Sequence, residues 1–486
     1  MLTKLGLRLR IFLFFCLLGL GALVVLAGAL WIGYQRAGNP DLLTPLLFAG
    51  LLSGFLILGL VAAIWLLFDE HVAKPIELLA AEMRSRAHAG VTREIDSHAA
   101  RYLGDLAPAA AGLAGELSAA TLRSATALAD ETYRLEAEKN RLTALLSEIP
   151  VATVLVNPQH RIVLYDRQAA ATLAQVAPPR LNASLFDYLD QNPLLAAYDR
   201  MNATGKEVQV EIPSAASPGK RSFKLQLKPL GSENGYVLVL NSAALNIAPH
   251  EARPLVYDFE LLAPMAAPLR SRPLGSLDFC VFDTETTGLL PHKDEIVQIG
   301  ALRIVNGRLV PGECFETLVN PGFEIPAAST RVHGIRTEMV QDAPKIGAAS
   351  TAFHHFCRDS VLVAHNAPFD LAFLRRHAKA AGLTWDHPVL DTVLLSAVVF
   401  GTSVPHTLDA LCARLDIPIA DTLRHTALGD AQATAQALLR MLPMLEARGF
   451  TTLGEVFDQT RRHGRLLEDL NPVDNHGSTW QAGETT

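Results

Sequence analysis

Two uninterrupted apolar runs open the chain, residues 11–34 and roughly 43–68. Each is long enough for a helix that crosses a bilayer, which takes ~20 such residues. QRAGNPD lies between them, so the pair predicts a helical hairpin with almost no outer domain. In DEHVAKPIELLAAEMRSRAHAG a proline precedes Ile76, Leu78, Leu79 and Met83 at helical spacing, predicting a further helix just past the second run. Leu128, Leu135, Leu142 and Ile149 then fall on a seven-residue repeat. That period keeps one seam turned toward a partner helix and predicts a parallel dimer stalk. The stalk runs into IPVATVLVNPQHRIVLYDRQAAATLAQ, which reads as strand, turn, strand, helix. SFKLQLKPL and YVLVLNSA read as later strands that close this unit near residue 243, and residues 244–276, rich in Pro and Ala, read as a linker.

From residue 277 the pattern changes again. LDFCVFD is a buried-strand run ending at Asp283, and EIVQIGALRIVNGRLVPGECFETLVNP reads as two strands joined by a tight turn at Asn306-Gly307. SVLVAHNAPFDLAFLRRHAKAAG adds a fourth strand, a short loop and a helix with Asp370 in its first turn. LRHTALGDAQATAQALLRML predicts a helix carrying both His425 and Asp430. A meander followed by alternating helices and strands predicts a mixed α/β sheet.

Length, charge and cysteine usage narrow the picture. A chain of 486 residues predicts two to four units. A net charge of −7 excludes holding a nucleic-acid backbone by bulk positive charge, so such a partner needs local basic groups or metal ions. The five cysteines, Cys16, Cys280, Cys314, Cys357 and Cys412, form no CxxC pair and fit reduced thiols in a cytosolic compartment. Lys4, Arg8 and Arg10 flank the first apolar run and Lys74, Arg84, Arg86 and Arg93 follow the second, while the loop between offers Arg36. The positive-inside rule then predicts both termini on the cytoplasmic side. The first run also fits a signal peptide, with AGA at 27–29 as its small-residue site. In both cases the second run leaves residues 69–486 inside.

The candidate chemistry lies at the ends of these elements. Asp283 and Glu285 flank Thr284 on an extended chain, so their side chains share a face. Together with Asp370 and Asp430 they would form a self-repulsive cluster, whose natural occupants are hard divalent cations. Two such ions ~3.5–4 Å apart can hold a scissile phosphate and activate a water. His425, five residues before Asp430, has the chemistry to take the proton of that water near neutral pH. His354, His355 and Cys357 have no partner at metal-ligand spacing and read as surface and core residues, and His365 reads equally as a support of the site through its neighbour Asn366 or as a structural residue.

FDTETTG, HNAPFD and HTALGD occur in the order and chemistry of the DEDDh 3′-to-5′ exonucleases. That is the family of the proofreading (epsilon) subunit of bacterial DNA polymerase III, and the resemblance covers roughly residues 277–445. It implies a ribonuclease-H-like fold and two divalent metal ions (Mg²⁺ or Mn²⁺). The implied metal ligands are Asp283, Glu285, Asp370 and Asp430, with His425 as general base. Thr426 stands where the sister group carries a tyrosine, which favours the histidine branch. Carried over residue by residue, the substrate contacts fall on Thr284, Thr286, Thr287, Gly288, Leu289, His333, Ile335, Asn366 and Phe369.

Two further resemblances are looser. Residues 71–148 resemble a HAMP linker and helical stalk, and residues 149–243 resemble a PAS domain of unidentified ligand. The region holds no cysteine, which excludes flavin–cysteine adduct chemistry there. The expected architecture is therefore multi-domain. A transmembrane hairpin (1–70) leads to a HAMP-like and coiled-coil stalk (71–148), an α+β PAS-like domain (149–243) and a linker (244–276). An α/β ribonuclease-H-like exonuclease domain (277–450) follows, then a C-terminal helix with a disordered tail (451–486). The apolar runs predict a two-pass protein of a bacterial inner membrane and the heptads a dimer through the stalk, while the resemblance implies removal of nucleotides from 3′ ends of single-stranded DNA. RNA oligonucleotides are the rival substrate. The rival class is a sensory membrane protein whose nuclease-like domain mainly binds nucleic acid or a partner.

Overall fold

The computed structural model describes residues 7–89, 152–215, 221–231, 235–240, 255–263, 267–420 and 423–472, with positions 103, 104, 109 and 112. The heptad positions Leu128, Leu135, Leu142 and Ile149 lie outside the described residues. The chain divides into two compact units, residues 1–123 and 124–486.

In the first unit, helices α1 (Leu7–Ala37) and α2 (Leu43–Phe68) form an antiparallel hairpin, and both are long and apolar enough to cross a membrane. Their outward faces carry bare apolar side chains such as Leu17, Val25 and Phe55. Small residues let the helices approach: a Cβ on Gly50 would stand 2.9 Å from Leu30, and one on Gly54 3.4 Å from Leu23. Phe12 meets Trp65 edge-on at 5.0 Å. At the open end Arg8 binds Asp69 through two hydrogen bonds of 2.8 and 2.6 Å. Asp69–Ala73 is a wider π-helical turn, after which the helix continues as α3 (Lys74–Ala89).

The second unit holds two sheets. The first is wholly antiparallel, built from β1 (Ala152–Val156), β2 (Ile162–Tyr165), β3 (Val208–Pro213), β4 (Ser222–Pro229), β5 (Tyr236–Leu240) and β6 (Val256–Tyr257), in the order β3-β4-β5-β1-β2-β6. Asn157 makes the turn between β1 and β2, its Oδ1 accepting the amides of Gln159 and Arg161. Helix α4 (Arg167–Leu173) follows, capped by Asp166, and α5 (Gln191–Thr204) precedes β3. Part of the expected linker belongs to this sheet. Val256 and Leu261 are 7% and 4% exposed in its core, and the Leu261 carbonyl accepts from Asn157 Nδ2 at 2.7 Å. That burial is what overrides its loop-like composition.

The second sheet is mixed, in the order β11-β10-β7-β8-β9, from β7 (Phe279–Thr286), β8 (Ile296–Val305), β9 (Arg308–Leu318), β10 (Val361–Ala364) and β11 (Val389–Asp391). β7, β8 and β9 form the antiparallel meander, with Asn306 and Gly307 at φ 46° and 69° in its tight turn. β10 and β11 run parallel to β7. Helices α6 (Ala327–His333), α7 (Thr337–Val340) and α8 (Ile346–Cys357) connect β9 to β10. α9 (Ala367–Ala381) leads to β11, and α10 (Thr392–Phe400), α11 (Leu408–Arg414), α12 (Ala427–Glu446) and α13 (Leu453–Thr460) complete the layer. Beyond Leu470, where disorder was expected, Asn471 still pairs with both backbone groups of Val389 at 2.9 and 2.7 Å. Residues 473–486 lie outside the described residues.

The two sheets meet through buried charge. Arg303 of β8 and Glu313 of β9 are 1% and 2% exposed and pair at 3.0 Å. Glu313 also accepts from the Tyr165 hydroxyl at 2.8 Å and the Leu181 amide at 2.5 Å, both from the first sheet's domain. Arg303 returns a bond to the Leu181 carbonyl at 3.0 Å, and Asn182 donates to Asp278 at 2.7 Å. A buried ion pair can break even against desolvation, but removing one partner strands the other at ~3–5 kcal/mol. Glu313→Ala should therefore lower the thermal midpoint of the detergent-solubilised chain by about 10 °C. Scanning fluorimetry measures this, and an unchanged midpoint would mean that the interface does not hold the sheets together.

Candidate active site

β7 delivers Asp283 and Glu285 to the sheet's end on one face, and the first turn of α12 brings Asp430 opposite them. One carboxylate oxygen from each of these three half-buried residues lies within 4.8 Å of the others. The approach of α12 depends on Gly300 of β8, which pairs with Asp283: a Cβ there would collide with the backbone of Ala427 and Leu428. Gln298 of the same strand accepts the Ala427 amide at 3.1 Å. Asp370, 2% exposed, enters from the first turn of α9. Its Oδ1 accepts from the Thr284 amide at 3.1 Å and the Thr284 hydroxyl at 2.5 Å, so the residue between the two strand carboxylates anchors the third element.

Water exclusion and mutual repulsion raise the proton affinity of this set. Loss of water raises the pKa of Asp283 well above the usual range, with Asp370, Glu285 and Asp430 adding to it. Burial, then Asp430 and Asp370, lifts Glu285 to about 8. Burial takes Asp370 to about 7 against the opposing Thr284 hydrogen bonds. Asp430 is raised by burial too, against the charge and backbone N–H of His425. An all-oxygen donor set whose charges cannot coexist unassisted fits hard divalent cations.

His425 departs from the expected helix. α12 begins at Ala427, with Thr426 in an extended conformation (φ −117°) capping it through the Gly429 amide at 3.1 Å. His425 stands exposed in the preceding turn at φ 56°, beside Asp430 through its own backbone. Its proximity thus comes from the cap and not from a shared helical face.

The other sequence-selected residues divide into several groups. Thr286 and Thr287 are buried at the root of the loop after β7, and Leu289 at its crest is 79% exposed. Gly288 lies against Asp294, whose carboxylate would clash with any Cβ. His333, 8% exposed, lies against the Thr286 backbone and accepts the Ile335 amide at 3.0 Å, with burial lowering its pKa. Ile335 does not face the cleft: it is 4% exposed in a small core with Val297, Ile325 and Val340. Asn366 is exposed at φ 75° just before α9, and half-buried Phe369 meets Phe373 edge-on at 5.1 Å. His365 bonds Thr392 at 2.9 Å, and burial takes its pKa down to about 4. His354 bonds the Thr384 carbonyl, and Cys357 is fully buried.

Sequence reasoning passed over Asp391, which caps α10 and accepts the Ala367 amide at 2.6 Å, fixing the start of α9 and hence Asp370. An Asp ending the apolar run PVLD before TVLLSAV was the available signal.

A family model described as Exonuclease matches residues 280–438. A DNA polymerase III subunit epsilon-like protein of Rhodobacter capsulatus is 33% identical over 97% of this chain and 100% of its own length. The chain belongs to that epsilon-like family. It is a 3′-to-5′ exonuclease, and its family uses two divalent metal ions. A PolC-type DNA polymerase III of Caldanaerobacter subterraneus subsp. tengcongensis is 40% identical over 37% of this chain, which spans 12% of that relative. Among solved structures, Exonuclease X in complex with 5′ overhanging duplex DNA matches at 24% identity and TM-score 0.30, covering 37% of this chain and 99% of that one. E. coli Exonuclease I in complex with a dT13 oligonucleotide matches at 18% and 0.32, covering 36% and 42%.

The raised carboxylates set the sign of a pH effect. A Glu285 that holds its proton to about 8 in the fold, against 4.5 when open, contributes stability at low pH that is lost as pH climbs through that window. With chelator, the chain's thermal midpoint should fall from pH 5 to 8, and Mg²⁺ or Mn²⁺ should raise it most at the upper end. Midpoints indifferent to metal at pH 8 would mean that the cluster binds none.

Proposed function

We propose that this chain is a membrane-anchored, metal-dependent exonuclease that releases nucleoside monophosphates from 3′ ends of single-stranded DNA. The observation that carries the reading is the meeting of Asp283, Glu285 and Asp430 within 4.8 Å at one strand end, with Asp370 locked to the intervening Thr284. These four carboxylates would hold the two metal ions, which when bound would neutralise the cluster, polarise the phosphodiester and acidify a water.

The protein's own residues do the rest. His425, exposed beside Asp430, takes the proton from the attacking water as its oxygen bonds to phosphorus. The P–O3′ bond breaks and O3′ takes a proton from solvent water, so the departing strand keeps a new 3′ hydroxyl while the terminal nucleotide leaves with a 5′ phosphate. Leu289, Asn366 and Phe369 contact the terminal nucleotide by apolar and polar contacts that suit any base. Thr284, Thr286, Thr287, Gly288 and His333 shape that pocket from behind, most of them with buried side chains.

Two apolar helices of sufficient length support the membrane anchor, and the basic residues flanking them support a cytoplasmic nuclease. The antiparallel order β3-β4-β5-β1-β2 with helices α4 and α5 supports a PAS-like domain. Its shared buried interface with the nuclease sheet supports a regulatory role. The sequence pattern after the second apolar run and the heptad repeat support reading residues 71–148 as a HAMP-like stalk through which the chain dimerises.

The test uses the full chain in detergent with 5′-labelled single-stranded DNA and RNA, with Mg²⁺ or Mn²⁺ and with chelator. A metal-dependent ladder shrinking from the 3′ end, absent in Asp283→Ala and Asp430→Ala, is the expected result. His425→Ala should slow hydrolysis by ~10²–10⁴-fold while leaving DNA binding intact. A faster ladder on RNA would replace DNA as the substrate. A folded chain silent on both would turn the reading toward a nucleic-acid-binding module, and full activity of either aspartate variant would sink the metal assignment.

A further inference from the structure

Between Glu285 and β8 the chain makes a tight excursion, residues 287–295, with Leu289 at its crest. Its base is closed by the Thr287 amide on the Glu295 carbonyl at 2.8 Å and the Glu295 amide on the Thr287 hydroxyl at 3.0 Å. Inside, the Asp294 carboxylate accepts the Leu290 amide at 2.8 Å and occupies the space a side chain at Gly288 would need. These bonds define the loop's shape but not its position on the domain.

Ser329 holds the loop's base, its hydroxyl donating to the Thr287 carbonyl at 2.7 Å, and Arg376 holds its far side. Arg376 lies on α9 beyond Asp370, and its planar guanidinium reaches across to the loop's backbone. One Nη donates to the Pro291 carbonyl, and the other donates to the Asp294 carbonyl at 2.8 Å and pairs with the Glu295 carboxylate. The neighbouring His377 contacts the other Glu295 oxygen at 2.9 Å. α9 is therefore tied at two places, through Asp370 to Thr284 of β7 beside the carboxylates and through Arg376 to the loop's far side. A lysine cannot reproduce this, because the geometry needs several donors in one plane.

We propose that Arg376 is a positioning residue for substrate binding: it holds the 287–295 loop so that Leu289, 79% exposed, stands at a fixed place beside the carboxylates for the terminal nucleotide to pack on. An apolar side chain that exposed gains little by itself; held rigid, it loses no freedom when a nucleotide packs on it. The inference rests on the exonuclease reading above and names a residue that reading does not use.

The experiment is a double-mutant cycle on the full chain in detergent, with Arg376→Ala, Leu289→Ala and the pair. KM and kcat on labelled oligo(dT) are measured, with anisotropy of the same oligonucleotide in chelator and a thermal midpoint. Arg376→Ala should raise KM by ~10-fold with kcat within ~3-fold, the pattern of lost uniform binding. In the Leu289→Ala background the same change should add little, because the two act as one unit. Additive effects, a fall in kcat with KM unchanged, or losses that follow the folded fraction alone would overturn the proposal. Should Arg376→Ala not fold, Glu295→Gln removes one anchor at constant shape; a raised KM at constant kcat supports the proposal and an unchanged KM refutes it. Activity in the wild type with none of these effects defeats this inference alone. A wild type without activity or oligonucleotide binding defeats the exonuclease reading and this one together.

Discussion

Like charges do not gather in a dry place unless something holds them there, and here four carboxylates converge at the end of one buried strand. β7 places two of them, and the helices that bring the other two must be held against the repulsion. Thr284 does this for α9 by giving both its amide and its hydroxyl to Asp370. Gly300 and Gln298 do it for α12, the first by having no side chain to block the helix and the second by binding its leading amide. The frame thus holds an excess of negative charge of a kind that fits hard divalent cations. Burial and mutual repulsion push these same carboxylates toward the protonated form.

β8 is common to two parts of the molecule. Its Gly300 and Gln298 seat the helix bearing Asp430, and its Arg303 enters the buried ion pair with Glu313 and the Leu181 carbonyl. The sheet that carries the catalytic candidates and the antiparallel sheet before it therefore share a strand-borne set of contacts, with no solvent-filled gap at Arg303 or Glu313. A soluble nuclease fragment cut near residue 270 would leave those two charges uncovered.

Much of the candidate site was legible because its chemistry is local. Asp283 and Glu285 share a face by strand alternation, Asp370 follows a strand and a turn, and Asn306-Gly307 marks its hairpin by residue type alone. The failures have separate causes. Pro- and Ala-rich residues 244–276 looked like a tether because nothing in them signals that Val256 would find β2. His425 was placed on a helix because its spacing to Asp430 suits one, whereas the Thr426 cap starts the helix two residues later. Ile335 looked like a base contact because motif position does not say which way a side chain turns.

Within the chain itself, hydrophobic period and residue type determined the apolar hairpin, the strands and the identity of the acidic and basic groups, because each depends on neighbours a few positions away. Tertiary structure alone decided which charges became partners. Arg376 with Glu295, Arg303 with Glu313 and Asp370 with Thr284 are pairs that sequence distance hides. An arginine reads alike whether it is solvated or clamped on a loop's carbonyls. The difference lies in the low-dielectric surroundings that folding supplies, where an unpaired charge is costly and a paired one fixes position.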